Sequence, residues 1–260
     1  MLEFNKIYNM DCSHGLSLLD DNSIDLTVTS PPYDNLRNYN GYTFDFENIA
    51  KELYRVTKNG GVVVWVAGDA TIKGSETGTS FKQALYFKEV GFNLHDTMIY
   101  EKNGCAFPSK NRYYQTFEYM FILSKGKPKT VNLIKDRKNK WGKPWGKQSR
   151  RNKEGKLKEV DNYDSAEFGV RFNIWKINNG YGYSAKEKIA YEHPAIFPEQ
   201  LAKDHILSWS NEGDIVLDIF MGSGTTAKMC IDTNRQYIGF EISEQYCNIA
   251  YNRLSGFIYE

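Results

Sequence analysis

The chain has 260 residues, of which 41% are apolar and 15% aromatic, and its formal net charge at pH 7 is +1. A chain of this length and composition can bury one sizeable core. It contains no run of ~20 apolar residues that would span a membrane, and its N-terminal stretch MLEFNKIYNMD predicts no signal peptide. The four cysteines form no C-x-x-C pair, which argues against a zinc ribbon or a disulfide framework. We therefore expect a cytoplasmic protein with reduced thiols.

Strand-like and helix-like segments alternate along the chain. The predicted strands are NKIYNM, IDLTVTS, GVVVWVA, LHDTMIYEK, FEYMFILSK, DIVLDIF and QYIGFEI, several of them the continuous apolar runs of a buried parallel sheet. The predicted helices are DFENIAKELYRVTKNGG, TSFKQALYFKEVGF, PEQLAKDHILSWS, TTAKMCIDTNR and SEQYCNIAYNRL. In the first of these, we expect the Gly–Gly pair to end the helix. The alternation predicts an α/β fold with a doubly wound, Rossmann-like, mostly parallel sheet of seven strands, which binds ligands at its carboxyl edge.

Positive charge is concentrated in residues 127–188. This segment carries 17 Lys and Arg against 7 Asp and Glu, a net charge of +10, so the rest of the chain nets −9. The segment has no sustained helical or strand period. A charge run of this kind is often only a solvated face of the protein. Its interleaved aromatic residues favour nucleic acid instead, because cations contact phosphates while rings stack on bases. These residues are Trp141, Trp145, Trp175, Tyr181 and Tyr183.

The second predicted strand runs into TSPPY, residues 29–33. Two consecutive prolines cannot donate hydrogen bonds to a sheet ladder, so the strand must stop at Ser30. Taken alone, a PPY sequence is an ordinary rigid surface turn, since Pro and Ser are common turn residues. Its function has to be judged from the rest of the chain.

A glycine-rich turn follows the strand that ends at Asp218. In VLDIFMGSGTTAKM, the chain turns through Gly222 and Gly224, and Thr225 opens a helix. Glycines let the backbone approach a ligand closely, and a helix N-terminus offers free N–H groups. The P-loop pattern fails here, but the loose dinucleotide pattern G-x-G-x-x-G/A is met, with Glu241 at a suitable distance for ribose hydroxyls. A nucleotide-like ligand is predicted; a turn without any ligand is the alternative.

TSPPY and DIFMGSGTT together resemble the catalytic and cofactor motifs of the DNA amino-methyltransferases that use S-adenosylmethionine. Their order, with the catalytic motif first, is similar to the permuted β group of that family, of restriction-modification type. The resemblance implies three regions: 1–126 as the catalytic half of the methyltransferase domain, 127–190 as the target-recognition region, and 191–260 as the cofactor-binding half. It implies double-stranded DNA as substrate, with no membrane partner. A homodimer and a separately acting cognate restriction endonuclease are further partners that it allows.

The chemistry of an exocyclic amine explains the TSPPY motif. The lone pair of this amine is delocalised into the base, so it must be localised before it attacks a methyl donor. The side-chain oxygen of Ser30 and the carbonyl of Pro31 can accept its two N–H bonds, while Pro31 and Pro32 hold these acceptors rigidly. Tyr33 would stack on the base once it is flipped from the duplex. No covalent nucleophile is needed.

The resemblance also implies which residues bind the cofactor. Asp218, Phe220, Gly222 and Gly224 match the motif at the methionine end of S-adenosylmethionine, where Thr225 begins the helix, and Glu241 matches the acid that bonds the ribose hydroxyls. Asp11 matches the acid that faces the adenine, with Cys12 beside it. His193, Ala195 and Phe197 belong to HPAIFP, which resembles the segment packed against the methionine tail, although relatives often carry Lys where Phe197 stands. Without the resemblance, Asp11 would be an exposed loop acid and His193 part of a His–Pro turn.

Several alternatives remain open at this stage. A methyltransferase acting on a protein amide or a small molecule could also use a PPY-type motif, and a noncatalytic nucleotide-binding module could use the glycine turn. An NAD oxidoreductase would leave residues 30–33 without a role. The +10 segment favours DNA, and there we expect phosphate contacts from Lys138, Lys140, Lys143, Lys147, Arg150 and Arg151. Ser30 favours cytosine-N4 as the target, because adenine-N6 relatives more often carry Asp or Asn at this position.

Overall fold

The structure is a computed structural model, and it describes residues 2–32, 44–105, 110–139, 148–160 and 166–256. The chain divides into two compact units. The larger unit comprises Met1–Asn132 and Asn173–Glu260, and the smaller one comprises Leu133–Phe172. Within the described residues, no helix is both long enough and apolar enough to cross a membrane.

The described elements include six α-helices, fourteen strands and one 3-10 helix. The helices are α1 (Cys12–Ser17), α2 (Phe46–Val56), α3 (Thr79–Val90), α4 (Glu199–Trp209), α5 (Thr225–Asp232) and α6 (Glu244–Ser255); the 3-10 helix is Lys188–Glu192. The strands are β1 (Lys6–Asn9), β2 (Ile24–Thr29), β3 (Thr57–Ala67), β4 (Thr71–Ile72), β5 (Ser75–Glu76), β6 (Asn93–Glu101), β7 (Phe117–Ser124), β8 (Arg137–Lys138), β9 (Gln148–Arg151), β10 (Leu157–Val160), β11 (Phe168–Gly169), β12 (Ile174–Lys176), β13 (Ile215–Asp218) and β14 (Gln236–Glu241).

The larger unit is built on one eight-stranded sheet. Its strand order is β1-β14-β13-β2-β3-β7-β6-β12. Five of the neighbouring pairs are parallel, and only the β3·β7 and β6·β7 pairs are antiparallel. Apolar residues of α1, α2 and α3 pack on one face, and those of α4, α5 and α6 on the other. The predicted doubly wound α/β class is therefore confirmed, with one strand more than expected.

The additional strand is β12, which pairs parallel with β6 through Trp175 and Tyr100. The prediction that Trp175 belongs to an aromatic nucleic-acid surface is wrong. Its side chain is only 6% exposed, lies in the core, and stacks on His205 with ring centroids 4.5 Å apart. A large apolar ring in this position contributes to folding through burial. Tyr181 and Tyr183, in contrast, are 68% and 66% exposed.

Helix α2 ends earlier than its sequence predicted. It stops at Val56, and β3 begins at Thr57 and runs through both glycines instead of starting after them. Gly60 has φ +84°, and a Cβ on Gly61 would lie 2.9 Å from the carbonyl oxygen of Asp25. The glycine pair is therefore needed for close packing inside a strand rather than for a helix cap.

The smaller unit contains two short antiparallel pairs, β9·β10 and β8·β11. It carries 12 Lys and Arg against 6 Asp and Glu. At the tip of the β9·β10 hairpin, the side chain of Asn152 accepts hydrogen bonds from the N–H groups of Glu154 and Lys156, at 3.1 and 2.9 Å. The pairing register places Arg150 directly opposite Lys158. Like charges in this arrangement repel each other.

Candidate active site

The carboxyl edge of the main sheet lines a cavity of about 1320 Å³. Single small-molecule sites usually occupy roughly 300–1,000 Å³, so this cavity has room for a cofactor and a second group. Most of the predicted site residues line it: Ser30, Pro31, Pro32, Asp11, Cys12, His193, Ala195, Phe197, Asp218, Phe220, Gly222, Thr225 and Glu241. Tyr33 lies outside the described residues. The residues that the two motifs contribute are thus brought to one place.

Strand β2 delivers Ser30 to this cavity from the centre of the sheet. Its neighbour on one side is β13, which ends at Asp218. Ser30 is half-buried and Pro31 is buried. Because β2 and β13 are adjacent and parallel, the ends of the two predicted motifs meet at the same edge.

Asp218 connects the two strand ends. Its Oδ1 accepts hydrogen bonds from Thr29 Oγ1 at 2.7 Å and from the N–H of Phe220 at 3.1 Å, and its Oδ2 accepts one from Thr226 Oγ1 at 2.6 Å. Burial raises the pKa of Asp218, although these hydrogen bonds lower it. The carboxylate therefore fixes the glycine turn relative to β2, a role that the sequence patterns did not indicate.

The glycine turn is shaped by Gly222 and Gly224, which have φ of +52° and +78°. A Cβ on Gly222 would lie 3.1 Å from His193 Nε2, so the turn and the HPAIFP segment are in close contact. Gly224 is not among the residues that line the cavity; it packs against α6, where a Cβ would come within 2.9 Å of Ala250 Cβ. The two glycines therefore serve different needs.

Glu241, at the end of β14, is 9% exposed. Its Oε2 accepts a hydrogen bond from the N–H of Gly222 at 2.8 Å, and its Oε1 accepts one from the N–H of Ser243 at 2.9 Å. Burial raises the pKa of Glu241, and the two backbone hydrogen bonds oppose this shift. Each carboxylate oxygen can accept more than one hydrogen bond, so Glu241 can also bind hydroxyl groups in the cavity.

Asp11 and Cys12 open α1 at the end of β1. Asp11 caps the helix through its Oδ1, which accepts from the N–H groups of Ser13 at 2.8 Å and His14 at 3.4 Å, so it is not an exposed loop acid. The Cys12 thiol is buried, and this burial, followed by the charge of Asp11, raises its pKa to about 12. A thiol that stays protonated is a poor nucleophile.

His193 lies at the turn that follows the 3-10 helix. Its Nδ1 accepts a hydrogen bond from the N–H of Ala195 at 3.1 Å, and its ring packs edge-on against Tyr246, with centroids 4.3 Å apart. These contacts fix the HPAIFP segment along the cavity wall. Phe197 is half-buried against the core.

A buried ion network supports the glycine turn from behind. Lys228 donates to Glu187 at 2.6 Å and to Glu199 at 2.7 Å, and Arg253 pairs with the same two glutamates at 3.1 and 2.6 Å. Arg253 also donates to the carbonyl oxygen of Ser223 at 3.0 Å. The side chains of both cations are at most 3% exposed. Sequence reasoning missed this network, for which no local pattern gave a signal.

The predicted DNA-binding residues lie in the smaller unit. Lys138 is in β8, and Arg150 and Arg151 are in β9. Lys140, Lys143 and Lys147 lie outside the described residues. The arginines are exposed on the strand that carries the like-charged cross-strand pair.

The fold and the cavity are those of an α/β protein with room for a nucleotide-like ligand at the carboxyl edge of its sheet. A sequence profile of the family described as "DNA methylase", N6_N4_Mtase, matches residues 24–252. The chain is 68% identical over 243 residues to the orphan methyltransferase M.BamHII of Bacillus amyloliquefaciens, and the aligned region covers 92% of each protein. It therefore belongs to the N4/N6 DNA methylase family of restriction-modification type, and it is a DNA methyltransferase. S-adenosylmethionine, the expected cofactor, is the methyl donor of this family.

Solved structures share the fold. The PvuII DNA methyltransferase, cytosine-N4-specific by name, superposes with a TM-score of 0.70 at 21% identity, covering 95% of this chain and 85% of that one. The M1.HpyAVI–SAM complex gives a TM-score of 0.63 at 24% identity, covering 96% and 99%. The expected fold, family and cofactor are thus confirmed, and membership in a DNA methylase family decides against the protein-amide, small-molecule and oxidoreductase alternatives.

Proposed function

We propose that the chain transfers a methyl group from S-adenosylmethionine to the exocyclic N4 amine of a cytosine that has been flipped out of double-stranded DNA. The observation that carries this proposal is that Ser30, Pro31 and Pro32 line the same cavity as the glycine turn and Glu241. An acceptor pair for an amine and a site for a methyl donor therefore face one space. Bound S-adenosylmethionine supplies an electrophilic methyl group there.

The residues present fit this cofactor. Glu241 offers carboxylate oxygens to ribose hydroxyls, and Gly222 leaves the space beside His193 that a side chain would fill. Phe220 and His193 supply ring surfaces along the wall, and Asp11 lies at its adenine end in our assignment. Gly224 and Asp218 contribute indirectly, by shaping the turn and by connecting it to β2.

Activation of the amine falls to Ser30 and Pro31. Ser30 Oγ and the Pro31 carbonyl accept the two N–H bonds of the amine, which favours a pyramidal nitrogen whose lone pair faces the methyl group. Pro31 is buried, and its ring removes backbone freedom, so the carbonyl needs little reorganisation during the reaction. Tyr33 stacks on the extruded base. This step requires no metal or covalent nucleophile from the residues named.

Cytosine-N4 is favoured over adenine-N6 because Ser30 presents a neutral hydroxyl. A hydroxyl is a weaker acceptor than a carboxylate, and the adenine-N6 enzymes that the motif resembles more often carry Asp or Asn at this position. Adenine-N6 remains the second candidate. DNA methylated by the purified protein should be sequenced by a method that reports both modified bases: N4-methylcytosine at a fixed site is the expected result, and N6-methyladenine there would overturn the choice of base.

A mutation tests the assigned chemistry separately from the base. Ser30→Ala should lower kcat for methyl transfer far more than it weakens binding of DNA or cofactor. Tyr33→Ala should instead weaken retention of the extruded base by ~1 to 3 kcal/mol, seen as a smaller fluorescence change of 2-aminopurine at the target position. Near-normal single-turnover rates in both variants would reduce TSPPY to a rigid turn.

The smaller unit is assigned to target recognition, with Lys138, Arg150 and Arg151 contacting phosphates. Its net positive charge and the repulsion between Arg150 and Lys158 support this role. A homodimer and a separate restriction endonuclease stay predictions; the similar M.BamHII is named an orphan methyltransferase. We place the enzyme in the cytoplasm, where its DNA substrate is.

A further inference from the structure

Tyr100 lies near the carboxyl end of β6 and has a buried hydroxyl group. Tyr100 is 2% exposed and is one of the residues that line the large cavity. Among the described residues, its hydroxyl has no hydrogen-bond partner. A buried hydroxyl that makes no hydrogen bond lowers stability. Such a group on the wall of an active-site cavity therefore needs a functional explanation.

Two ionised side chains accompany Tyr100. Glu118 is its direct partner in the antiparallel β6·β7 pair, and Lys102 donates to Glu118 Oε1 at 3.0 Å. All three residues line the cavity. Burial, followed by the charge of Glu118, raises the pKa of Tyr100, so its phenol keeps the proton and acts as a donor. The group as a whole combines donors and acceptors and has no net charge.

The position of β6 restricts what Tyr100 can contact. Strands β3 and β7 lie between β2 and β6, so three strand spacings, roughly 14 Å, separate the β2 and β6 backbones. Tyr100 and Ser30 therefore approach this space from different strands, so Tyr100 would contact a part of a bound base other than the amine. Because Lys102 is neutralised by Glu118, the group offers no excess positive charge to a phosphate, whereas the edge of a nucleobase offers both donors and acceptors.

We propose that Tyr100, Lys102 and Glu118 form a base-positioning subsite, in which the Tyr100 phenol donates a hydrogen bond to a ring nitrogen or carbonyl oxygen of the target base. The proposal rests on the base extrusion proposed above. Ser30 and Pro31 accept hydrogen bonds from the amine, and Tyr100 satisfies an acceptor elsewhere on the same base. Two contacts on different edges fix the orientation of the base in its plane.

The test is Tyr100→Phe, which removes only the hydroxyl. Because no described residue bonds to this hydroxyl, the melting temperature should stay the same or rise. S-adenosylmethionine affinity should not change. On a duplex carrying the mapped methylation site, kcat/KM should fall about 5- to 10-fold, as expected for one neutral hydrogen bond. On the same duplex with an abasic target position, parent and variant should bind equally.

Tyr237→Phe is the matched control. Tyr237 is another tyrosine of the same core, 4% exposed, and it is not among the residues that line the cavity. Its variant should methylate DNA like the parent. Parental kcat/KM in Tyr100→Phe would overturn the proposal, as would a fall in melting temperature that accounts for the lost activity, or a binding defect that persists on the abasic duplex. If 2-aminopurine fluorescence shows no base extrusion by the parent protein, the proposed function is contradicted, whatever the result for Tyr100→Phe.

Discussion

Thr29 and Asp218 are 189 positions apart in the chain, yet Thr29 Oγ1 donates a 2.7 Å hydrogen bond to Asp218 Oδ1. Thr29 precedes the acceptor Ser30, and Asp218 precedes the glycine turn. The bond therefore couples the position of the amine acceptor to that of the cofactor turn. Both side chains are buried, Thr29 at 1% and Asp218 at 6% exposure.

Replacing Thr29 by Val should disturb this coupling while keeping the side-chain shape. The loss leaves a buried carboxylate with one donor fewer, which should cost about 1 to 3 kcal/mol of unfolding free energy. We expect kcat to fall more than the affinity for S-adenosylmethionine. Thr29→Ser, which keeps the donor hydroxyl, should have a kcat close to that of the parent. Thr27→Val is the control on the same strand, since Thr27 Oγ1 is buried without a hydrogen-bond partner among the described residues. Equal kcat losses in both Val variants would contradict the coupling.

Gly222→Ala should weaken binding of S-adenosylmethionine in a protein that still folds. The new Cβ would lie 3.1 Å from His193 Nε2, and φ of +52° strains any L-residue by about 1 kcal/mol or more. Gly213→Ala provides the control, because Gly213 also has positive φ but has open space at its Cβ position. Calorimetric titration should show a loss of affinity only for Gly222→Ala, alongside native circular dichroism; unchanged affinity would contradict the placement of the cofactor.

Glu241→Gln should weaken S-adenosylmethionine binding by ~1 to 3 kcal/mol, because the ribose hydroxyls lose a charged acceptor. The raised pKa of Glu241 adds a pH signature. In the parent, the carboxylate takes up a proton as the pH falls through this raised pKa. As the pH is lowered, affinity should therefore begin to decrease before the pH reaches 4.5, the ordinary pKa of glutamate. The variant should lack this dependence. Exposed Glu244, changed to Gln, should retain the affinity and the pH profile of the parent.

Glu199→Ala should lower the unfolding free energy by about 3 to 5 kcal/mol, the usual cost of removing one partner from a buried ion pair. One oxygen of Glu199 accepts from both Lys228 and Arg253, and these two cations would stay buried. The exposed Lys176–Glu101 pair is the comparison: Glu101→Ala should change stability by less than about 1 kcal/mol. Chemical denaturation measures the unfolding free energy of both variants. An equally small loss in Glu199→Ala and Glu101→Ala would show that the buried network stabilises the protein no more than an exposed ion pair does.

The same network predicts acid sensitivity. Burial by itself would raise the pKa of Glu187, but the hydrogen bond and the charge of Lys228, with the charge of Arg253, lower it to about 2. Its folded pKa is below the unfolded value of 4.5, so its stabilisation is present above pH 4.5 and is lost as pH falls toward 2. Unfolding free energy should decline over this range, by about 1 to 2 kcal/mol after solvent screening. Glu187→Gln should remove that decline.

Arg150→Gln with Arg151→Gln should make DNA binding less sensitive to salt. If each arginine neutralises one phosphate, the slope of log affinity against log salt should shrink by about 2. Lys51→Gln with Lys88→Gln, which removes two exposed charges from α2 and α3, should leave the slope unchanged. An unaltered slope in the arginine variant would place the phosphate contacts on another surface. Affinity for the cofactor should be the same in the parent and in both double variants.

The sequence by itself determined the sheet, the motifs and the class of enzyme. Seven strands of the main sheet were predictable because several of them are local apolar runs rich in β-branched and aromatic residues, as VVVWV in β3 shows. The TSPPY and GSG motifs were recognisable because proline restricts the local backbone, whereas glycine allows conformations that other residues rarely adopt. Such signals need no knowledge of distant neighbours.

Only the tertiary structure decided which polar groups meet. Trp175 carried an ambiguous signal, because an aromatic ring among cations suits either a DNA surface or a core, and pairing of β12 with β6 placed it in the core. The bond between Thr29 and Asp218, the network around Arg253 and the burial of Tyr100 all depend on strand order and helix packing. Hydrogen bonds and ion pairs act over about 3 Å, so they are settled only after hydrophobic packing has brought remote segments together.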